Sequence, residues 1–507
     1  MGIKLFLLII FFAVMVGVGF YSRRHVKSVD GFVLGGRSVG PWLTAFAYGT
    51  SYFSAVVFVG YAGQFGWKYG IASTWIGIGN ALIGSLLAWV VLGRRTKVMT
   101  QHLRAKTMPD FFGQRYGSKA LKIVASVIVF VFLIPYTASV YNGLSRLFGM
   151  AFNIPYTWCV IAMAVFTAIY VILGGYMATA INDFIQGIIM LFGIVAVIAS
   201  VLNGQGGFME AVSKMAQIPS DVPATMGQPG AFTSFFGPDP LNLLGVVILT
   251  SLGTWGLPQM IGKFYAIKDE KSINTGTVIS TFFAIVISGG CYFLGGFGRL
   301  FDSAEIYNAE TGAVVYDSII PSMLSKLPDI LIGIVVVLVL SASMSTLSSL
   351  VLTSSSTMTL DLLKDNIMKE MSEKKQIITM QILIVFFIVV SVVIALDPPT
   401  FIAQLMGISW GALAGAFLAP FLYGLYWKGV TRAGVWAGFI AGVGITVSNM
   451  FIGYIASPIN AGAAAMVAGL VIVPLVSLVT PKLKKEDVDE IFTCYEEKVV
   501  STKKRNL

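Results

Sequence analysis

Charged residues are scarce in this 507-residue chain, where Asp, Glu, Lys and Arg together make up 11% of the sequence. A soluble domain carries about 25% charged residues on average. Hydrophobic residues make up 56% of the chain. A chain this apolar has no surface suited to water, which excludes an ordinary soluble protein and predicts an integral membrane protein.

Residues that bind transition metals or form disulfides are also few. The chain has two histidines, His25 and His102, and three widely spaced cysteines that form no CxxC pair. This composition argues against a disulfide framework and a zinc site. It also argues against a membrane enzyme, which would need a nucleophile with its base, or a metal cluster, near the membrane.

Thirteen apolar segments are long enough to cross a bilayer, because a hydrocarbon core about 30 Å thick requires about 20 mostly apolar residues per helix. The predicted spans lie near 3–21, 42–65, 71–92, 120–145, 156–174, 183–203, 241–262, 274–297, 329–358, 376–396, 400–426, 433–455 and 461–480. The first segment lacks the features of a cleaved signal peptide and is predicted to remain as a span. The sequence therefore predicts an all-α membrane protein, with one transmembrane domain over residues 1–480 and a charged tail over 481–507.

The net charge of +10 comes from Lys and Arg residues that concentrate in alternate loops. They follow the first, third, seventh, ninth and eleventh spans and recur in the tail, whereas loops 204–240 and 298–328 hold few. Positively charged loops stay in the cytoplasm, so the N-terminus is predicted outside and the C-terminus inside. The net positive charge is thereby attributed to the loops that set the orientation in the membrane, and no nucleic-acid partner is predicted.

Polar residues inside a span are energetically costly and mark candidate sites. They occur at 50–54 in the second span, 253–259 in the seventh and 341–349 in the ninth. Glycine or proline interrupts the second and seventh spans, and a helix broken at mid-depth is the form that transporters use at their binding sites. A simple kink is the alternative for the seventh span.

Ser345 and Thr346 are neighbours in the ninth span, so their side chains lie about 100° apart around a helix. Adjacent hydroxyls suit a hard monovalent cation, but small residues also serve helix packing, and the segment alone leaves both interpretations open. Asp183, at the edge of the sixth span, is compatible with an ordinary residue at a helix N-terminus.

The two interrupted spans are five apart in chain order. Spans 2–6 and 7–11 are therefore predicted to form two five-helix halves, each beginning with a broken helix. This pattern is typical of secondary transporters built from inverted repeats.

Several motifs resemble those of the sodium:solute symporter family, whose members carry proline, pantothenate, monocarboxylates or sugars. They are DGFVLGGRSVGP (30–41), GYAGQFGWKYG (60–70), INDFIQG (181–187), GLPQMIGKF (256–264) and ASMSTLSS (342–349). The resemblance covers nearly the whole chain and implies a LeuT-like fold of five plus five inverted repeats with extra terminal helices. It also implies Na+ as the coupling ion and sodium-coupled import of a small organic solute across the cell membrane.

The resemblance implies a set of sodium ligands and places candidate solute residues beside the two breaks. The sodium ligands are the carbonyls of Thr50, Phe53 and Ala342 and the hydroxyls of Ser345 and Thr346, and Asp183 matches a carboxylate that helps sodium leave towards the cytoplasm. The candidate solute residues are Ser51, Tyr52, Ser54, Thr254, Trp255 and Gln259, followed by Gln404, Ser409 and Trp410 of the eleventh span.

Two positions depart from the family's patterns. Tyr52 stands where proline symporters have an aspartate, which weakens the case for proline, and Val57 stands where sugar symporters have a glutamine, which argues against sugars. The predicted solute is of the carboxylate or amino-acid type, such as pantothenate, a monocarboxylate or proline. The alternatives are a proton-coupled transporter of the same fold, a channel and a transporter-like sensor.

Overall fold

The computed structural model describes residues 2–25, 27–397 and 399–496. Within these ranges the chain is helical, and its β contacts are two isolated bridges. The principal helices are α1 (Gly2–Ser22), α2 (Pro41–Tyr52), α3 (Val56–His102), α4 (Lys119–Phe152), α5 (Tyr156–Gly204), α6 (Pro240–Gly253), α7 (Pro258–Ala266), α8 (Glu270–Gly295), α9 (Asp329–Ile367), α10 (Glu373–Leu396), α11 (Ile402–Tyr426), α12 (Arg432–Ile452) and α13 (Pro458–Val479).

Eleven helices in the described part of the chain are long and apolar enough to cross a membrane, counting α6 and α7 as one. Two of them, α3 and α5, have 47 and 49 residues, more than twice the about 20 that one crossing needs. Gly70 in α3 and Gly175 in α5 have φ values of 60° and 54°, a backbone region that favours glycine and interrupts a helix. The multi-pass character is confirmed, while the number of thirteen crossings and the pairing into two repeats stay predictions.

Both interruptions that the sequence predicts are present. Helix α2 ends at Tyr52, and Phe53 has an extended backbone with φ −96° and ψ 115°. The backbone N–H of Ala55, freed by this break, donates to the hydroxyl of Ser343 on α9 at 3.1 Å. The second break separates α6 from α7, which begins with Pro258, a residue whose missing N–H costs nothing in the first turn of a helix.

Gly256, in the second break, lets the chain between α6 and α7 approach α11 closely. A Cβ atom at this position would lie 2.7 Å from Cα of Ala414 and 2.9 Å from the backbone nitrogen of Leu418. Backbone atoms within a packed helix cannot move aside as a flexible side chain can, so the break depends on glycine here.

Gly256→Ala is therefore expected to lower the free energy of unfolding by about 1–3 kcal/mol, the usual cost of overpacking, and to reduce transport. The matched control is Gly262→Ala on α7, where an added Cβ meets no atom within 4 Å. Thermal unfolding of the two purified variants measures the difference. Equal stability of both variants would contradict the close packing at Gly256.

Four basic residues that the sequence analysis assigns to cytoplasmic loops are buried instead. They are Arg37, Lys97, Arg115 and Lys263, with exposures of 7%, 0%, 1% and 3%. Lys97, for example, donates to the carbonyl of Tyr265 at 3.2 Å. Carbonyls at the ends of helices lack partners within the helix, and a buried cation such as Lys97 satisfies one of them. The four side chains are therefore enclosed by the protein, while the orientation inferred from the basic loops stays a prediction.

Asp317 is buried in the connection between α8 and α9. Its carboxylate accepts a hydrogen bond from the N–H of Ile402 at 3.3 Å and lies 4.0 Å from Nε of Arg146. Burial raises the pKa of Asp317 to about 6, against the opposing effects of Arg146 and of the Ile402 N–H.

The raised pKa of Asp317 predicts a pH dependence of stability. The carboxyl ionises near its ordinary value of 3.8 in the unfolded chain and near pH 6 in the folded one, so its contribution to stability is lost as the pH rises between these values and is constant above them. Asp317→Asn does not titrate, and we expect it to gain stability relative to the unmodified protein over this interval. Thermal unfolding at several pH values measures the difference, and a difference independent of pH would contradict the prediction.

Candidate functional site

The break between α2 and α3 faces the polar segment of α9. The Thr346 hydroxyl oxygen lies 3.3 Å from the carbonyl oxygen of Thr50, 3.4 Å from that of Ser51 and 3.1 Å from that of Ala342. All four residues are buried. A hydroxyl and several carbonyls that converge at a broken helix form the kind of oxygen cluster that coordinates Na+ in transporters.

The other two predicted sodium ligands flank this cluster. Phe53 lies in the extended segment of the break, with its ring 4.4 Å from that of Tyr52. The hydroxyl of Ser345 is buried, has no hydrogen-bond partner of normal geometry among the described residues and lies near the carboxylate of Asp183. A buried polar atom without a satisfied hydrogen bond is unusual in a native protein, and this oxygen suits a cation ligand.

Asp183 on α5 is connected to the break through a buried lysine. The ammonium of Lys263 on α7 lies 3.9 Å from the Asp183 carboxylate and donates to the hydroxyl of Ser349 at 3.0 Å. The Ser349 hydroxyl in turn lies 2.8 Å from that of Ser51 on α2. These contacts link α5, α7, α9 and α2. Two side chains, those of Lys263 and Ser349, connect the Asp183 carboxylate to Ser51 on the broken helix.

Lys263 and Ser349 are absent from the residues that the sequence analysis proposes. The available signal for Lys263 was its position little more than one turn after the break at Pro258. Side chains tilt towards the N-terminus of their helix, so a lysine placed there points back towards the broken segment rather than out into a loop.

Tyr52 and Trp410 form an aromatic group beside the break. The Tyr52 hydroxyl donates to the carbonyl of Thr250 at 3.0 Å, and the Trp410 ring lies 5.4 Å from the Tyr52 ring and 5.9 Å from that of Tyr136. The hydroxyl of Tyr61 is also buried here and has no hydrogen-bond partner among the described residues. Small-molecule sites are typically apolar and aromatic with a few polar atoms, so this group is compatible with a solute site, and Tyr61 and Tyr136 extend the predicted set.

Several candidate solute residues have their polar atoms already engaged within the protein. Thr254 donates to the carbonyl of Gly84, and Trp255 donates to that of Ile83, each at 3.0 Å. The side chains of Ser51 and Gln404 are hydrogen-bonded to those of Ser349 and Thr400. The Ser54 hydroxyl accepts from the backbone N–H of Val56, and the Ser409 hydroxyl donates to the backbone carbonyl of Phe132. In contrast, the amide oxygen and nitrogen of Gln259 are both buried without a partner in the described structure, and both are available to a ligand.

This arrangement of helices broken around a buried oxygen cluster defines a membrane transporter rather than an enzyme. The chain belongs to the sodium:solute symporter family, whose family model matches residues 32–442. It is 30% identical over 496 residues to the sodium/proline symporters of Staphylococcus aureus strains COL and N315, a match that covers 94% of this chain and 92% of each relative. Sodium is the coupling ion.

Solved transporter structures show the same fold. A Na+-coupled sialic acid symporter in a substrate-bound outward-open state superposes with a TM-score of 0.74 at 14% identity, covering 95% of this chain and 99% of that one. A nucleobase-cation-symport-1 family transporter gives a TM-score of 0.55 at 14% identity, covering 91% and 98%. The all-helical transporter fold predicted from the sequence is thereby confirmed.

Proposed function

We propose that this protein imports a small organic solute of the carboxylate or amino-acid type into the cell by alternating access, driven by the inward sodium gradient. The observation that carries this proposal is the convergence of the Thr346 hydroxyl with the carbonyls of Thr50 and Ala342 at the break between α2 and α3. An ion held there contacts α2 and α9 together, so its binding favours the arrangement that places these two helices side by side.

In this proposal five oxygen atoms hold the ion. They are the carbonyls of Thr50, Phe53 and Ala342 and the hydroxyls of Ser345 and Thr346. The solute binds next to the ion, against the aromatic rings of Tyr52 and Trp410 and within reach of the Gln259 amide. A solute carboxylate is also favoured by N–H groups at the ends of broken helices. Since both ligands stabilise the same arrangement, each raises the affinity for the other.

The proposed route for sodium release runs from Asp183 past Lys263 to the cytoplasm. A small cavity of about 40 Å³ supports the first part of this route, because it is lined by Ser349, Lys106 and Lys263, the lysine that lies 3.9 Å from the Asp183 carboxylate. The proposed orientation places these loops and the charged tail in the cytoplasm and the N-terminus and loop 204–240 outside. The proposed transmembrane symporter domain is residues 1–480, followed by the tail at 481–507.

The identity of the solute is tested by uptake into proteoliposomes, with and without an inward sodium gradient. The panel contains pantothenate, proline, pyruvate, lactate, acetate and glucose. Proline is included because the matched relatives are sodium/proline symporters, although Tyr52 departs from the proline pattern. Sodium-stimulated uptake of at least one acid and none of glucose is expected. Uptake of glucose alone would contradict the proposed solute class.

A further inference from the structure

A second cavity lies on the face of the protein that carries loop 204–240. It has a volume of about 640 Å³, within the range of roughly 300–1,000 Å³ that small-molecule sites occupy. Its wall comes from α3 before the break at Gly70, from residues 221–223 of the loop, and from the first turns of α6 and α13. We name this cavity the vestibule.

The charged groups of the vestibule differ in whether they have partners. Asp221 is paired with Arg299, with Nη2 and Oδ1 2.7 Å apart. Asp239 accepts from the side-chain amide of Asn242 at 2.6 Å. Lys68 makes no hydrogen bond and no ion pair at contact distance in the described part of the chain. Its ammonium lies 5.2 Å from the centre of the Tyr316 ring, and Asp239 of the same cavity is an opposite charge that acts on it from beyond contact distance. The vestibule therefore contains one ammonium that is available to an anionic ligand.

The vestibule adjoins the candidate solute site. Phe65, which lines it, lies 4.9 Å ring to ring from Tyr61, the buried tyrosine beside the break. Val246, also in its wall, accepts at 2.9 Å from the hydroxyl of Thr250, whose carbonyl bonds Tyr52. One helical turn along α3 and along α6 thus separates the vestibule wall from the group around Tyr52, so a solute that enters from this face meets Lys68 first.

We propose that the vestibule is a first docking site for carboxylate-bearing solutes, with the carboxylate on the Lys68 ammonium. In a zwitterionic solute such as proline, the amino group faces the Asp239 carboxylate in the same cavity. Charge-assisted hydrogen bonds of this kind are stronger than neutral ones, and an ammonium without a contact partner in a partly enclosed cavity attracts anions to it. The vestibule then selects acids before they reach the inner site. For the solute class, this docking site rests on the proposed function.

A cysteine at position 456 reports on occupancy of the vestibule. Ala456 lines the cavity, is exposed and has no polar side chain to lose, while the native cysteines are buried. The Ala456→Cys protein is reacted with an anionic and with a cationic methanethiosulfonate of similar size. The reactions are carried out in sodium-free potassium medium, so that sodium binding does not alter access.

Lys68→Gln in this background is expected to lower the ratio of the anionic to the cationic rate by roughly tenfold. The matched control is Lys326→Gln, which removes an exposed lysine from the connection between α8 and α9 and should leave the ratio unchanged. Proline and pantothenate should slow the labelling of the Ala456→Cys protein that retains Lys68. Prolinamide and pantothenol, which lack the carboxylate, should not, and neither acid should protect the Lys68→Gln protein.

Equal protection by acids and by their neutral analogues, or protection that survives Lys68→Gln, would overturn the docking site. The docking site would also be overturned if a solute that is taken up with sodium did not slow the labelling of the cysteine at position 456. Carboxylate-specific protection without any sodium-driven uptake would support the vestibule and contradict the proposed function, so the two failures are distinguishable.

Discussion

Thr346→Ala is expected to weaken sodium binding by about tenfold or more, because the loss of an oxygen that contacts a charged group costs about 1.5–3 kcal/mol. The Thr346 hydroxyl is within 3.4 Å of three backbone carbonyls from two helices. Ser345→Ala should act in the same direction, since it removes the second hydroxyl. Equilibrium binding of radioactive sodium to the purified protein measures both effects.

Two variants on the same helix provide controls for this prediction. Thr346→Ser keeps the hydroxyl and should keep most of the sodium affinity. Ser355→Ala removes a buried hydroxyl whose hydrogen bond in the described structure is to its own helix, to the carbonyl of Leu352 at 3.1 Å, and should leave sodium binding unchanged. If Ser345→Ala and Thr346→Ala both bind sodium normally, the proposed ligand set is wrong.

Lys263→Met is expected to be among the most damaging single changes in the protein. Lys263 and Asp183 are both buried, with side-chain exposures of 4% and 0%. Removing the ammonium leaves the carboxylate of Asp183 without its counter-charge, and the loss of one partner from a buried ion pair costs about 3–5 kcal/mol. We expect a lower temperature of thermal unfolding and the loss of sodium-driven uptake.

The double variant Asp183→Asn, Lys263→Met separates the two consequences. It removes both charges, so stability should recover much of the loss, while uptake stays absent if the pair serves sodium release. Lys106→Met breaks the more exposed pair with Asp30 and should cost only about 0–1 kcal/mol. A double variant that is no more stable than Lys263→Met would show that the two residues do not interact.

The breaks in the second and seventh spans were predictable because glycine and proline weaken a helix locally, and because hydroxyl side chains beside them are polar groups inside an apolar span. The convergence of Thr346 with Thr50 and Ala342 followed only from the family resemblance, since hydroxyl spacing alone also suits helix packing. The structure then supplied the distances on which the sodium site is proposed.

The position of Lys263 after the break at Pro258 indicates that its side chain points towards the broken segment, but its partner there was not accessible from local sequence patterns. Its contact with Asp183 joins residues 80 positions apart on different helices, and composition alone does not distinguish a buried lysine from a loop lysine. The burial of Arg37, Lys97 and Arg115 was missed for the same reason, because the carbonyls to which they donate are distant in the sequence. Tyr61 and Tyr136 were missed because aromatic residues are common in membrane helices and carry no signal until their neighbours are known.

The most direct test of the account is the choice of driving ion for uptake. Proteoliposomes are loaded so that either a sodium gradient or a proton gradient is imposed alone, with the membrane potential clamped, and accumulation of the transported acid is followed. Accumulation is expected under the sodium gradient, with its loss in the Thr346→Ala variant, and no accumulation is expected under the proton gradient. Accumulation driven by protons alone, with no response to sodium, would contradict it.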